Sequence, residues 1–237
     1  SSTTYPFQWM QVDCNQINSN AIGAHMMAMQ FATGASSSEV ELTPPILVDA
    51  PFTFRSGRQF SFPVPHVPSG TRVSARIRND TASGSGGTMR IHGHGSSTQE
   101  TSYHSQLFSY GEVIDGSNTT GTTIDPGGTA NTKGSWVQLT GSTDQETRWL
   151  VVNLMADNAA MTNCVCAMDL AIGDISNKYI IVPDINFAAR AAEDFIYPNV
   201  FHYKRHIPRG RQLFARAQCS ITDATDRVFD VQVLAGG

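Results

Sequence analysis

Charge is scarce in this chain of 237 residues: Lys, Arg, Asp and Glu together make up 15% of it, and the formal net charge is -4. With a pI near 5.9 the chain carries no excess of basic residues for a phosphate backbone, so no nucleic-acid partner is expected. Long apolar runs are missing too. The longest apolar-leaning stretch, "AIGAHMMAMQFA" (21–32), falls well short of the roughly 20 residues that span a bilayer, and no membrane partner is expected. The opening "SSTTYPFQWM" has neither the basic start nor the apolar core of a signal peptide. Cysteine is sparse, with Cys14 in the first half and Cys164, Cys166 and Cys219 in the second. A disulfide framework that staples a repeated domain recurs in each copy, and this one does not. The cysteines are therefore expected to be reduced core residues in a protein assembled in a reducing cytoplasm. Cys164 and Cys166, two apart on a strand, would share a face, which suits buried thiols better than a metal site.

Catalytic signatures are missing as well. There is no Walker-type loop, GxSxG, HExxH or Cys-His arrangement with family spacing. "GSGG" (Gly84–Gly87) leads into a strand pattern and not a helix, so it forms no phosphate cradle. The expectation is a non-enzyme with no cofactor and no metal.

What the chain does have is a repeat. "HVPSGTRVSARI" (His66–Ile77) returns as "HIPRGRQLFARA" (His206–Ala217), sharing His66/His206, Pro68/Pro208, Gly70/Gly210, Ala75/Ala215 and Arg76/Arg216. "AMQFATG" (Ala28–Gly34) returns as "AMDLAIG" (Ala167–Gly173), and Pro44 as Pro183. Upstream, the "WMQV" that starts at Trp9 resembles the "WVQL" that starts at Trp136, a shorter offset that requires about a dozen extra residues in the second copy. Motifs in one order at near-constant spacing imply tandem duplication. The boundaries are a first repeat at 1–93, a connecting arm rich in Gly, Ser and Thr at 94–134, and a second repeat at 135–237.

Each copy reads as β structure. Pro68-Ser69-Gly70 is a turn signal, after which Val73, Ala75 and Ile77 alternate with Arg72, Ser74, Arg76 and Arg78 at the period of two of a half-buried strand. The second copy keeps that parity in Leu213, Ala215, Ala217 and Cys219. Further strands are expected at 7–12, 24–32, 37–42, 59–64 and 88–92, and at 135–139, 148–155, 164–172, 178–182, 199–205 and 227–234. The strand after each turn should pair with the last strand of its copy as an irregular hairpin. A helix has room only at "NFAARAAEDF" (186–195), and the arm at 94–134 should supply an extra strand. The fold class is all-β, with two tandem antiparallel β-sandwich, jelly-roll-like domains arising from internal duplication.

Candidate chemistry is thin. His92, His94 and His104 could suggest a metal, but no carboxylate sits at a useful spacing and the second copy has no counterpart. His66 with Arg76 and His206 with Arg216 lack a nucleophile or carboxylate partner, so they read as strand-start and sheet-face residues. Trp9 and Trp136, recurring between copies, read as core. Tyr103, Tyr110 and Trp149 are the candidates for contact with a glycan or a protein partner, through faces that stack on sugar rings.

"HVPSGTRVSARI", "HIPRGRQLFARA" and "DPGGTANTKGSWVQL" (Asp125–Leu139) resemble the repeated β-sandwich domains of tailed-bacteriophage virion proteins. In those, an "IPAGTR" strand and a "TANTKG(S/A)W" lead-in mark each unit. The resemblance implies a non-enzymatic structural protein of the virion, either a capsid decoration or a tail or appendage component, assembled in the host cytoplasm. Its partners would be copies of itself, as a trimer or hexamer, and other virion proteins. The alternative is a glycan-binding β-sandwich module, either for host attachment through surface polysaccharide or for secreted carbohydrate recognition.

Overall fold

Alternation of apolar and polar side chains dominates the chain, and the backbone follows it into strands. The computed structural model describes residues 2–17, 25–50, 58–79, 86–95, 106–115, 118–156, 163–190, 195–197, 200–221 and 227–237, and every regular element among them is a β-strand. The first unit holds β1 (Phe7–Ile17), β2 (His25–Thr33), β3 (Val40–Glu41), β4 (Ile46–Ala50), β5 (Arg58–Val67), β6 (Val73–Asn79) and β7 (Gly86–His94). Between the units lie β8 (Leu107–Tyr110), β9 (Val113–Asp115), β10 (Asn118–Thr120), β11 (Thr122–Ile124) and β12 (Val137–Thr140). The second unit continues with β13 (Thr147–Ala156), β14 (Cys164–Gly173), β15 (Lys178–Arg190), β16 (Phe195–Tyr197), β17 (Val200–Ile207), β18 (Gln212–Cys219) and β19 (Phe229–Gly236).

All pairings are antiparallel, and the two units are wired alike. β1 sits between β5 and β7, while β2 carries β3 and β4 on one side and β6 on the other. In the second unit β13 sits between β17 and β19, and β14 pairs β15 and β18. The register matches as well: Gln30 lies opposite Arg76 as Asp169 lies opposite Arg216. The turn after β5 is held by Thr3, whose N–H donates to Thr71 C=O at 2.9 Å and whose C=O accepts from Gly70 N–H at 2.8 Å. Thr143 makes the same two bonds to Arg211 and Gly210, at 2.8 and 2.9 Å. Gly70 and Gly210 take φ of +79° and +78°, the left-handed region that a side chain resists.

This geometry re-pairs the tryptophans. β1 and β13 each begin with a register shift, between Phe7 and Trp9 and between Thr147 and Trp149, so the position equivalent to Trp9 is Trp149 and not Trp136. The extra dozen residues vanish. Trp136 instead precedes β12, which has no counterpart among the described residues of the first unit.

Two further expectations are corrected. β6 does not form a hairpin with β7, nor β18 with β19: β6 and β18 pair β2 and β14, whereas β7 and β19 pair β1 and β13 in the opposite sheet. The strands on either side of each polar connection belong to different sheets, and alternation does not tell which neighbour a strand takes. The proposed helix at 186–195 is strand through Arg190. Ile185, Phe187 and Ala189 are buried and alternate with exposed Asp184, Asn186 and Ala188, so burial at period two overrides the helical preference of alanine.

The units share a core. β13 is buried on both faces: Leu150, Val152 and Leu154 pack within the second unit, while Trp149 and Val151 join Phe7, Met10, Val12, Phe60 and Phe62 of the first. At this junction two fully buried amides, cross-strand neighbours on β13 and β19, grip the edge strand β4. Gln232 Oε1 accepts from Leu47 N–H at 2.9 Å, Asn153 Nδ2 donates to Leu47 C=O at 2.7 Å, and Gln232 Nε2 donates to Pro45 C=O at 2.8 Å. The edge is thereby satisfied without another strand. Gln232→Ala should orphan the buried Leu47 N–H and the half-buried Pro45 C=O, and lower stability by about 1–3 kcal/mol in urea denaturation. An exposed control, Gln138→Ala, should leave the midpoint within error.

Candidate binding cleft and its surroundings

Where the leading ends of β1 and β13 meet, the two equivalent tryptophans line one cleft of about 440 Å³. Trp9 and Pro63 come from the first unit, and Arg148, Trp149, His202, Tyr203 and Lys204 from the second. Trp9 is 40% exposed, and its indole N–H is held by Ser61 Oγ. Trp149 is only 9% exposed because its ring lies against Gly236, where any Cβ would collide with it. The walls are apolar and aromatic, and the rim carries the cations Arg148 and Lys204. Burial depresses the His202 pKa, which keeps its imidazole neutral near pH 7, and burial raises that of Tyr203 against the opposing pull of Arg205. Aromatic faces with cations at the rim suit a flat, partly anionic ligand.

The sequence candidates fall in several places. Trp149 lies in the cleft, as does Trp9, which had been read as core. Tyr110 is buried, and its hydroxyl accepts from Asp144 N–H at 3.1 Å, so it does not reach the cleft. Tyr103 and His104 lie outside the described residues. Trp136 stacks on Arg216, with the guanidinium 4.4 Å from the ring centroid. Arg76 donates to Gln30 Oε1 and to Glu41 at 2.9 Å. Pro68-Ser69-Gly70 and Pro208-Arg209-Gly210 form the paired outer turns. Exposed His206 stands 3.2 Å from Glu146, and His66 closes β5 half-buried. His92 does have a carboxylate partner, Asp13 at 3.3 Å, supplied by β1 across the sheet.

The "TANTKGSW" lead-in owes its pattern to one network. Lys133 Nζ donates to Asp169 Oδ1, to Asp184 Oδ1 and to Ala167 C=O at 2.9, 2.9 and 3.0 Å, while Arg216 Nε donates to Asp169 Oδ2 at 3.0 Å. Burial pushes the Asp169 carboxyl up, but the Asp184 N–H and the two cations outweigh it and hold it below the ordinary carboxylate range. Among the described residues, Cys164, Cys166 and Cys219 have ligand atoms close enough to share a metal ion, all within 4.8 Å of one another. Each is buried, and contact with the Cys164 thiol, burial and the neighbouring Cys219 all raise the Cys166 pKa. Isolated Cys14 is pushed up to about 12 by burial and by Asp13. Packed among apolar neighbours, the three side chains fill core volume.

No family model matches the sequence. No curated protein matches it either. Among solved structures it is similar to the insecticidal delta-endotoxin Cry8Ea1 of Bacillus thuringiensis, with 8% identity over 100% of this chain and a TM-score of 0.31. The chain spans about half of that protein, 54% of its length, and a likeness at this level carries no argument.

Because the folded pKa of Asp169 lies below its unfolded value, its stabilisation is present above about pH 4 and is lost as pH falls through the folded pKa. Asp169→Asn should cost at least about 2 kcal/mol at pH 7, since Lys133 and Arg216 lose their shared anion. It should also flatten the decline in urea midpoint between pH 5 and pH 3; an unchanged slope would remove Asp169 from the acid transition.

Proposed function

We propose that the chain is a non-enzymatic structural protein that acts as one rigid two-unit block in a symmetric assembly, of the kind that decorates the capsid or builds the tail or appendages of a tailed-phage virion. The observation that carries this reading is the pair of outer turns at Pro68–Gly70 and Pro208–Gly210. They are set in matching backbone conformations by matching threonine bonds and mounted on units that share a core. Two like turns on a fixed frame give one chain two like docking surfaces. A trimer then presents six and a hexamer twelve, which suits contact with a symmetric particle and with other virion proteins. Quantitative mass spectrometry of purified particles tests it. Hundreds of copies per particle are expected of a decoration and a few to a few dozen of a tail component; none would overturn the proposal.

The cleft favours a second reading, recognition of host surface polysaccharide. Trp9 offers an exposed ring, with Tyr203 beside it and Lys204 placed for an acidic sugar. Trp9→Ala should abolish retention on an acidic polysaccharide column while the chain still unfolds cooperatively, at a cost of about 2–4 kcal/mol for the covered part of the ring. Equal retention of Trp9→Ala and the parent would remove the sugar from this cleft.

A further inference from the structure

The two units differ at one flank. In the second, residues 107–140 close the mouth of the sandwich: β8 and β11 pair β19, and β12 pairs β18. Asn131 N–H and Gly134 N–H extend that cover, donating to Cys219 C=O and Ala217 C=O at 2.7 Å each. The segment drives Tyr110, Ile124 and Leu139 into the core beside Ala215, Ala217, Val231 and Val233, which are all 0% exposed.

By register, the first-unit counterparts of those four are Ala75, Ile77, Met89 and Ile91. They face inward, opposite Phe31, Met29, Cys14 and Val12, yet Ile77 is 48% and Ile91 37% exposed. Among the described residues β6 pairs β2 alone, save for the bridge from Arg72 to Ser2 at its start, and β7 pairs β1 alone. An open cleft of about 260 Å³ lies at this flank, lined by Val73, Ile91, Phe7 and Gly93 and, along its other side, by residues 2–5 of the same chain. Arg76, the counterpart of Arg216, has a side chain 73% exposed, with no ring over it among the described residues. Paired strand edges and inward isoleucines left in water are a template for strand addition.

We infer that this flank receives an extended arm of a neighbouring polypeptide, which adds a strand along β6 or β7, inserts alternate apolar side chains between Ile77 and Ile91, and lays an aromatic ring on Arg76. The arm has the chemistry of residues 107–140. It is not that segment of a second copy, whose Tyr110, Ile124 and Leu139 are already consumed in its own second unit. The inference stands on the fold and is independent of the virion reading.

A synthetic peptide of residues 107–140, titrated into the full chain, tests it by hydrogen exchange without any particle. Amides of Val73–Asn79 and Gly86–His94 should exchange at least about tenfold more slowly at saturation. Ile77→Asp should abolish that protection while the unfolding midpoint falls only slightly, since this side chain is already half solvated. Arg76→Ala should weaken binding about fivefold through the lost ring contact. Unchanged exchange at saturating peptide would overturn the inference. So would self-association of the chain that Ile77→Asp abolishes, because a second copy would then cover the flank.

Discussion

The grip of Asn153 and Gln232 on Leu47 is the contact on which the architecture turns. Two sandwiches joined by apolar packing alone would slide, because apolar contact is non-directional. The amides convert the junction into a register. Only one placement of β4 against β13 and β19 satisfies the Leu47 N–H and C=O and the Pro45 C=O together. Any other leaves buried polar groups without partners, at a cost comparable to a hydrogen bond for each. The cleft inherits its shape from this register, since Trp9 and Trp149 arrive from different units and meet only when the junction is set.

The polar networks share a design. Each crosses a sheet face between residues distant in sequence, as Lys133, Asp169, Asp184 and Arg216 do in the second unit and Gln30, Glu41 and Arg76 do in the first. With charge so scarce, the pairs Arg76–Glu41 and Arg216–Asp169 sit on sheet faces, where they fix orientation. Asp169 in the second unit and Gln30 in the first accept from equivalent arginines, so one geometry is kept with and without a formal anion.

Much of the fold was legible where local pattern decides. The turns at Gly70 and Gly210, the parity of β18, and the shared face of Cys164 and Cys166 follow from spacing, whereas β6 has the alternation of a half-buried strand but is exposed from Ala75 to Arg78. What failed required knowledge of partners. Trp136 was matched to Trp9 on the likeness of "WMQV" and "WVQL", whereas the structural equivalent "TRWLVV" keeps little beyond the ring and a valine. β10 and β11 are three-residue, threonine-rich pieces that register as loop, and they are strands only because other strands offer free edges. The clamp did leave a trace: Asn153 interrupts the otherwise apolar "LVVNLM", and an amide in such a place needs a partner. Of the cleft only Trp149 was legible, because its walls are assembled from residues some 140 positions apart.

The position of β19 sets an order of events. This strand pairs β8, β11 and β13, all of which precede it by scores of residues, and its Gln232 also secures β4 of the first unit. A ribosome that has delivered everything up to Arg227 has made a chain whose central sheet has a slot in it and whose two halves are not yet locked. Assembly of the block is therefore deferred until that strand emerges. A chain broken off before β19 cannot imitate the finished article: it offers an open sheet edge rather than a rigid surface, and so carries the mark of its own incompleteness.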